Sequence, residues 1–533
     1  MADTSPKELI TRRHDEWVEH YARWRFLQDS LEGGDRYRYA VYGIDSIGYP
    51  AMNLIRHRRE YPAESKDQNG LIAPFVYSPV TYMTAARAGL PPGMTNRVAA
   101  TDNDYDLRLA RTPVPAFVAE AITRHLSRIY AREVGRNGPA EITEWWNDVD
   151  GQGTTIDDWM SETIAPLLLT LGHLDLQFDR PEAPAGVAVR TRADEKSAGI
   201  NRCIASYILP ENMLWWRLTH AGRYAECLVL EYQEGDDGCL EPSYRHWTAS
   251  ESTLYDGEGN LIKRSPHFYG QVPIVRVFVR KKTRCRNVGH SDYEAIADRQ
   301  REYYNRDSEL ILSDTLQAHP LLTGPDDYVR EDGTVSVGPS YLLPKKKNSE
   351  GATPFYESWE FVDPPKGAAE SIRRNKLDIR DGVDRDAALV KPAGSAGTGA
   401  GVVGQSGKSK AFDHAELNDL LTRRARTLAR AERLAAEFAL MVIRGGPIDA
   451  ADKMSLVVTY PAEFDLYSAE DLAALIGELQ KVLAAAGTLP ETEGDLIKRL
   501  IRLAIPGLSD TRYAELDAEV VGFLTRAASK NQQ

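Results

Sequence analysis

Apolar residues recur at helical spacing along several long stretches of this chain, and at strand spacing in one central block. Leu9, Trp17, Tyr21, Trp24, Leu27 and Leu31 mark one face of a helix over residues 5–32, which Gly33-Gly34 stops. Residues 45–110 are rich in Pro, Gly and Arg and read as irregular. A second helix is expected from Pro115 to Ala131. Thr155 and Asp158 then form a capping box that opens a helix through Leu171, and Gly172 begins a strand, HLDLQFD. From Asn201 to Val279 the pattern turns to β. CIASYILP, LWWRLTH, YAECLVLEYQ, YRHWTAS and VPIVRVFVR are short runs enriched in β-branched and aromatic residues, divided by turn sequences such as EGDDG and YDGEGN. Residues 1–290 therefore read as one α+β lobe.

The character changes at Ser291. SDYEAIADRQREYYNRDSELILSDTLQAH (291–319) reads as one long helix, capped by Ser291 and stopped by Pro320, with seven acidic residues and three arginines. Its apolar stripe (Tyr293, Ile296, Tyr303, Leu310, Ile311) is thin, which suits a helix packed against few neighbours as well as one in an ordinary bundle. Residues 320–366 return to short strand and turn signals and form a small insert, with Lys345, Lys346 and Lys347 as a basic tip. Residues 367–389 are helical again, with Gly382 as a weak point.

The next stretch, PAGSAGTGAGVVGQSGKS (392–409), holds six glycines in eighteen residues and reads as a loop between two helices. Its tail resembles the end of a phosphate-binding loop. That motif needs G-x-x-x-x-G-K-[ST] after an apolar strand. Gly407, Lys408 and Ser409 fit, but the first glycine falls on Val402, and the preceding sequence, IRDGVDRDAALVK, is a charged helical pattern. Nucleotide binding is therefore disfavoured. Phe412–Ile443 is the cleanest helix, with Leu417, Leu421, Leu428, Leu434, Phe438 and Met441 on one stripe. Arg423, Arg424, Arg426, Arg430 and Arg433 lie in its middle, which is usually a solvated or ion-paired face and less often one that meets nucleic acid. Gly445-Gly446-Pro447 ends it, MSLVVTYP follows as a strand, and the C-terminal part is helical, with a capping box at Ser468 and Asp471 and helices over 492–504 and 510–528.

Composition changes little in this picture. The 533 residues carry a net charge of −13, which argues against a surface built to grip nucleic acid but not against one that lets it slide past. The four cysteines show no C-x-x-C spacing, so neither a zinc site nor a disulfide framework is expected, and a reducing compartment is. His14 and His20 stand six apart, which breaks the H-E-x-x-H spacing of a zinc helix, and read as surface residues. No metal, cofactor or catalytic residue is expected. The start of the chain lacks the apolar core of a signal peptide, and no run approaches a membrane span.

The ordered series of parts is distinctive: α+β lobe, long helix, small β insert, second helix, glycine-rich loop, very long helix, strand, helical end. It resembles the portal protein of tailed bacteriophages. WRFLQDSLEGGDRYR (24–38) is similar to the W-x-x-x-x-D-x-L-x-G opening of a portal subfamily of unassigned-domain type. DGQGTTIDDWMSETIAPLLLTLGHLDLQFDRP (150–181) is similar to another of its stretches, with Phe178 in place of a small apolar residue. YILPENMLWWR (207–217), FYGQVPIV (268–275) and the segment from Tyr293 into the insert also resemble it.

The resemblance implies a portal fold: wing (1–290), stem helix (291–319), clip (320–366), second stem helix (367–389), tunnel loop (390–410), long wing helix and strand (411–462) and crown (463–533). It implies a ring, typically of twelve copies, at one capsid vertex of the virion, made in the host cytoplasm. Double-stranded DNA would pass through its channel. The terminase large subunit and a head–tail adaptor would dock on it, and major capsid and scaffold proteins would surround it. On this reading Lys391, Lys408 and Lys410 flank the tunnel loop and touch DNA, Asp298, Glu302 and Glu309 lie on the channel wall, and Lys345, Lys346 and Lys347 face terminase or adaptor. The family's tunnel loop is usually shorter and less glycine-rich. The alternatives are another capsid-associated ring or adaptor protein and a P-loop packaging ATPase.

Overall fold

The computed structural model describes residues 5–39, 110–181, 199–235, 238–317, 321–325, 342–345, 360–362, 367–388, 407–461, 464 and 514–518. It is a mixed α+β chain in two compact units. The first comprises residues 1–17, 122–290 and 390–533, and the second comprises residues 18–121 and 291–389.

The first unit is built on two antiparallel sheets. In the smaller, β2 (His173–Asp179) lies between β3 (Ile204–Ile208) and β9 (Ile274–Phe278). His173, Leu174, Asp175 and Leu176 are all buried, so this central strand is covered on both faces. The larger sheet is a meander of β4 (Met213–Leu218), β5 (Tyr224–Glu234), β6 (Leu240–Thr248), β7 (Glu251–Tyr255) and β8 (Leu261–Pro266). The five sequence runs each became a strand; β7 and β8, whose sequences are short and polar, were not among them. Met213, Trp216, Cys227, Val229 and Trp247 form the core with Ile208, Val272 and Ile274.

The helix expected over residues 5–32 is broken. α1 (Pro6–Thr11), capped by the Ser5 hydroxyl, ends in extended backbone at Arg12, and α2 (Asp15–Glu32) begins three residues later. The reason is tertiary. His14 N–H donates to Leu214 O (2.9 Å) and Trp17 Nε1 donates to Glu211 O (2.9 Å), so the break covers the open edge of β4. Gly33 does stop α2, with φ +69°, but α3 (Gly34–Tyr39) resumes at once.

The capping box at Thr155 is present: its hydroxyl accepts from Asp158 N–H (3.2 Å). The helix it opens is not uniform. α6 (Ile156–Asp158) runs into a π-helical stretch, Trp159–Ile164, before α7 (Ala165–Leu171). Pro166 has no N–H to give and its ring would strike the carbonyl four residues back; the wider turn makes room for it.

α10 (Gly407–Arg444) packs on β2, β9, α5 (Ala140–Trp146) and β13 (Val457–Thr459), which pairs with β1 (Gly135–Asn137). At 38 residues it is about 57 Å long. Leu417, Leu421, Leu428, Phe438 and Met441 are buried as the stripe predicts, with Leu434 half-buried. Gly445, in the left-handed region, closes the helix: Gly446 N–H donates to Met441 O and Gly445 N–H to Val442 O, each at 3.1 Å. The expected strand MSLVVTYP keeps only Val457–Thr459, because its first residues complete α11 (Ala450–Ser455). One arginine of the expected solvated cluster is in the core: Arg424 is buried and donates to His125 Nδ1 (2.5 Å). Buried Glu432 accepts from Arg136 Nε (2.5 Å) and Tyr460 OH (2.8 Å), and Tyr460 in turn meets Tyr130 (3.2 Å).

The second unit holds residues 18–32 of α2, α3, the start of α4 (Phe117–Ile129), α8 (Glu294–Gln317) and α9 (Gly367–Asp386). Between α8 and α9 in the chain lies a three-stranded sheet in which β10 (Leu321–Pro325) pairs in parallel with β11 (Leu342–Lys345) and antiparallel with β12 (Glu360–Val362). α8 begins later than expected: the Ser291 hydroxyl accepts from Tyr293 N–H (3.0 Å), and the first helical carbonyl in use is that of Tyr293. His20, expected at the surface, is buried beside Trp24 (centroids 5.9 Å). The expected helices over 492–504 and 510–528 lie outside the described residues, except for the helical residues 514–518.

Candidate functional site

The helix pair α8–α9 is one of the predicted functional parts. Three ion pairs set its register: Arg299 with Asp386 (2.6 Å), Asp307 with Lys376, and Asp314 with Arg373 (3.1 Å). Numbers rise along α8 as they fall along α9, so the two helices are antiparallel and the small sheet sits at the turn of a hairpin. Lys376 Nζ also lies over the Tyr303 ring (4.7 Å), and Ile379 and Val383 bury the apolar face of α9. α9 runs unbroken through Gly382. The glycine is a close approach: a Cβ there would lie 2.5 Å from Arg299 Nη1.

α8 is also anchored by Gln300, which the sequence reading did not single out. Gln300 is fully buried, accepts from Val118 N–H (3.0 Å) and donates to Ser30 O (2.9 Å). It occupies the same stripe as Tyr293, Ile296 and Tyr304, three to four residues from each neighbour on the face, and that spacing is the signal that could have found it. Arg23 of α2 grips the first turns of α8. Its Nη atoms donate to both oxygens of Asp298 (2.8 Å each) and its Nε to Glu294 (2.9 Å). Burial lowers the Arg23 pKa, but the hydrogen bond and charge of Asp298 outweigh it and the net shift is upward.

This pairing changes the electrostatics of α8. Of its predicted wall residues, Asp298 is held by Arg23 and Arg301, and Glu309 by Arg306 (2.8 Å). Glu294, Asp307 and Asp314 are paired as well. Glu302 alone of the three is exposed and makes no ion pair among the described residues. α8 thus presents less free negative charge than its sequence suggests, and exposed pairs of this kind contribute about 0–1 kcal/mol each.

The remaining predicted residues are scattered. Lys408 and Lys410 lie in the first turn of α10, which begins at Gly407, so they belong to a helix and not to the expected loop. A helix start at the end of the G-K-S tail is one requirement of a phosphate loop; among the described residues the element before it is α9. Lys345 ends β11. Lys391, Lys346, Lys347 and the glycine-rich residues before Gly407 lie outside the described residues.

No family model matches the chain, and no curated protein matches it. Among solved structures it is similar to "Neck of empty GTA particle computed with C6 symmetry", with a TM-score of 0.35 and 12% identity over 73% of this chain and 90% of that one. A likeness of that size decides neither fold nor role. Among the described residues no helix is long and apolar enough to cross a membrane.

Proposed function

We propose that this chain is the subunit of a portal-type connector: a ring at one vertex of a phage-like capsid through which double-stranded DNA is packaged and ejected. The terminase large subunit and a head–tail adaptor would dock on the small sheet, and major capsid and scaffold proteins would contact the ring's periphery. The chain would act as conduit and platform, with ATP hydrolysis done by the terminase.

One observation carries the reading. An antiparallel helix hairpin tipped by a three-stranded sheet is followed, across a glycine-rich stretch, by a helix of 38 residues. A long antiparallel hairpin joined at several points along its length suits repetition around an axis. A glycine-rich segment between two long helices suits contact with a polymer whose symmetry differs from that of the ring. Electron microscopy of the purified chain tests the reading. Class averages with a ring around an open channel support it; a compact closed particle with no channel overturns it.

A further inference from the structure

One face of the first unit is strongly basic in an otherwise acidic protein. Arg423, Arg426 and Arg430 are exposed on α10 at spacings of three and four, so they form a single stripe opposite the buried one. Arg430 donates to Phe278 O (2.6 Å), which sets the stripe beside the end of β9, where Arg280, Lys281 and Arg284 are also exposed. None of these six makes an ion pair among the described residues. The stripe continues into apolar surface: Arg433 reaches Lys453 O (3.5 Å), next to Met454 (74% exposed), and Val457 is 46% exposed.

The same unit carries a surface of opposite character. β4 pairs with β5 no further than Val229, and β7 pairs with β6 no further than Tyr244. Beyond Leu230, which still donates to Asn212 O, β5 and β6 continue as a two-stranded ribbon, from Glu231↔Ser243 to Glu234↔Leu240. Such a ribbon is marginal in water without cover. It exposes Tyr232 (57%) and Leu240 (70%) together with the carboxylates of Glu234 and Glu241, and the sequence between adds Asp236 and Asp237.

We infer that the β5–β6 ribbon of one copy docks on the basic face of α10 and the β9 end in the next copy. Charge and apolar surface match on both sides: Glu234, on the same face of the ribbon as Tyr232 and Leu240, meets the arginine stripe, and Tyr232 and Leu240 meet Met454 and Val457, while Glu241 on the opposite face adds to the negative field at the tip. A nucleic acid would use the cations but leave Met454 and Val457 without partners, and the net charge of −13 repels it at long range. Two different patches on one chain make a head-to-tail contact, which closes into a ring when the rotation permits and extends into a filament when it does not. The inference deepens the ring reading above and rests on it only for closure; the docking itself is a pairwise claim.

Sedimentation of the full chain tests it, with Glu234→Arg/Glu241→Arg as one variant and Arg423→Glu/Arg426→Glu as the other. Each variant alone is expected to self-associate at least tenfold more weakly than the unaltered chain. An equimolar mixture restores association, because every contact in an alternating assembly again joins opposite charges. Unchanged association in either variant, failure of the mixture to recover, or an unaltered chain that stays monomeric overturns the inference. So does loss of binding to a short DNA duplex in Arg423→Glu/Arg426→Glu with association intact, which would make the patch a nucleic-acid site. Rings that persist in both variants overturn this docking while leaving the portal reading standing. Rescue in the mixture without any ring does the reverse.

Discussion

Asp175 and Arg276 face each other across β2 and β9 with both side chains buried, and each completes the other's hydrogen bonding. Arg276 donates from Nε to Asp175 Oδ1 (2.9 Å) and from Nη2 to Oδ2 (2.5 Å), while Nη1 reaches Asn287 O (2.7 Å). Tyr224 OH donates to the same carboxylate (2.8 Å), and the guanidinium lies 4.8 Å from the Trp216 ring centre. Burial pulls the Arg276 pKa down, but the charge of Asp175 more than reverses it. Removing one partner strands the other in the core, so Asp175→Ala is expected to cost about 3–5 kcal/mol. Asp175→Leu combined with Arg276→Met should cost less than either single change. Urea denaturation of the four proteins gives the cycle; equal or greater loss in the double variant would mean that the pair is not the source of the effect.

A second consequence concerns acid. His14 stacks on Trp216 (centroids 4.0 Å, 12° between planes), and its Nδ1 accepts from Glu16 N–H (3.1 Å). Burial holds its pKa below 6.5 against the charges of Glu16 and Asp15. The unfolded chain therefore takes up a proton at a higher pH than the folded one. The contribution is fully present above pH 6.5 and is lost as pH falls through the depressed folded value. His14→Phe keeps the stack without the titration and should flatten the fall in thermal midpoint between neutral and mildly acidic pH. The flattening will be partial, because burial also lowers the pKa values of His246 and His267. An unchanged profile would place the acid sensitivity elsewhere.

Two glycines make opposite predictions. A Cβ at Gly289 would lie 2.0 Å from Gly172 O, a backbone atom at the turn into β2, so Gly289→Ala must move the chain. A loss of about 3 kcal/mol or more is expected, at the upper end of overpacking costs. At Gly382 the obstruction is the tip of Arg299, which can swing away. There the roughly 1 kcal/mol gain in helix propensity is set against one partly exposed ion pair, so Gly382→Ala should be neutral to slightly stabilising. Thermal denaturation of both variants checks the contrast.

The parts that the sequence disclosed are those whose cause is local. Alternation and turn residues marked β2 and the five named strands, Thr155 marked a helix start, Gly445 marked a helix end, and the Leu417–Met441 stripe marked the buried side of α10. What stayed hidden depends on distant partners. Arg12–His14 leave helical backbone because the edge of β4 needs cover. Arg424, read as a surface arginine, is buried because His125 lies opposite it. Asp298 is gripped by Arg23, 275 positions away, which no local pattern shows, whereas its pair with Arg301 and that of Glu309 with Arg306 join residues only three apart. The hairpin of α8 and α9 was legible as two helices around an insert, but its register rests on ion pairs between residues some 60 to 90 positions apart.

The glycine-rich residues before Gly407 yield the last prediction, which bears on the proposed conduit. They join α9 to α10, and 394–404 hold no charged residue. Deleting Gly394–Gly404 removes eleven residues while sparing both flanking helices and Lys391, Lys408 and Lys410. If this stretch bears on DNA in a channel, the deletion variant should fold and assemble like the parent, with an unchanged thermal midpoint, yet package or retain less DNA in an infected cell. Loss of folding would instead make the stretch a structural connection that α9 and α10 need at full length. Normal assembly with normal packaging would remove it from the proposed DNA path and leave the charged residues of the hairpin, Glu302 first among them, as the part of the proposed wall to test next.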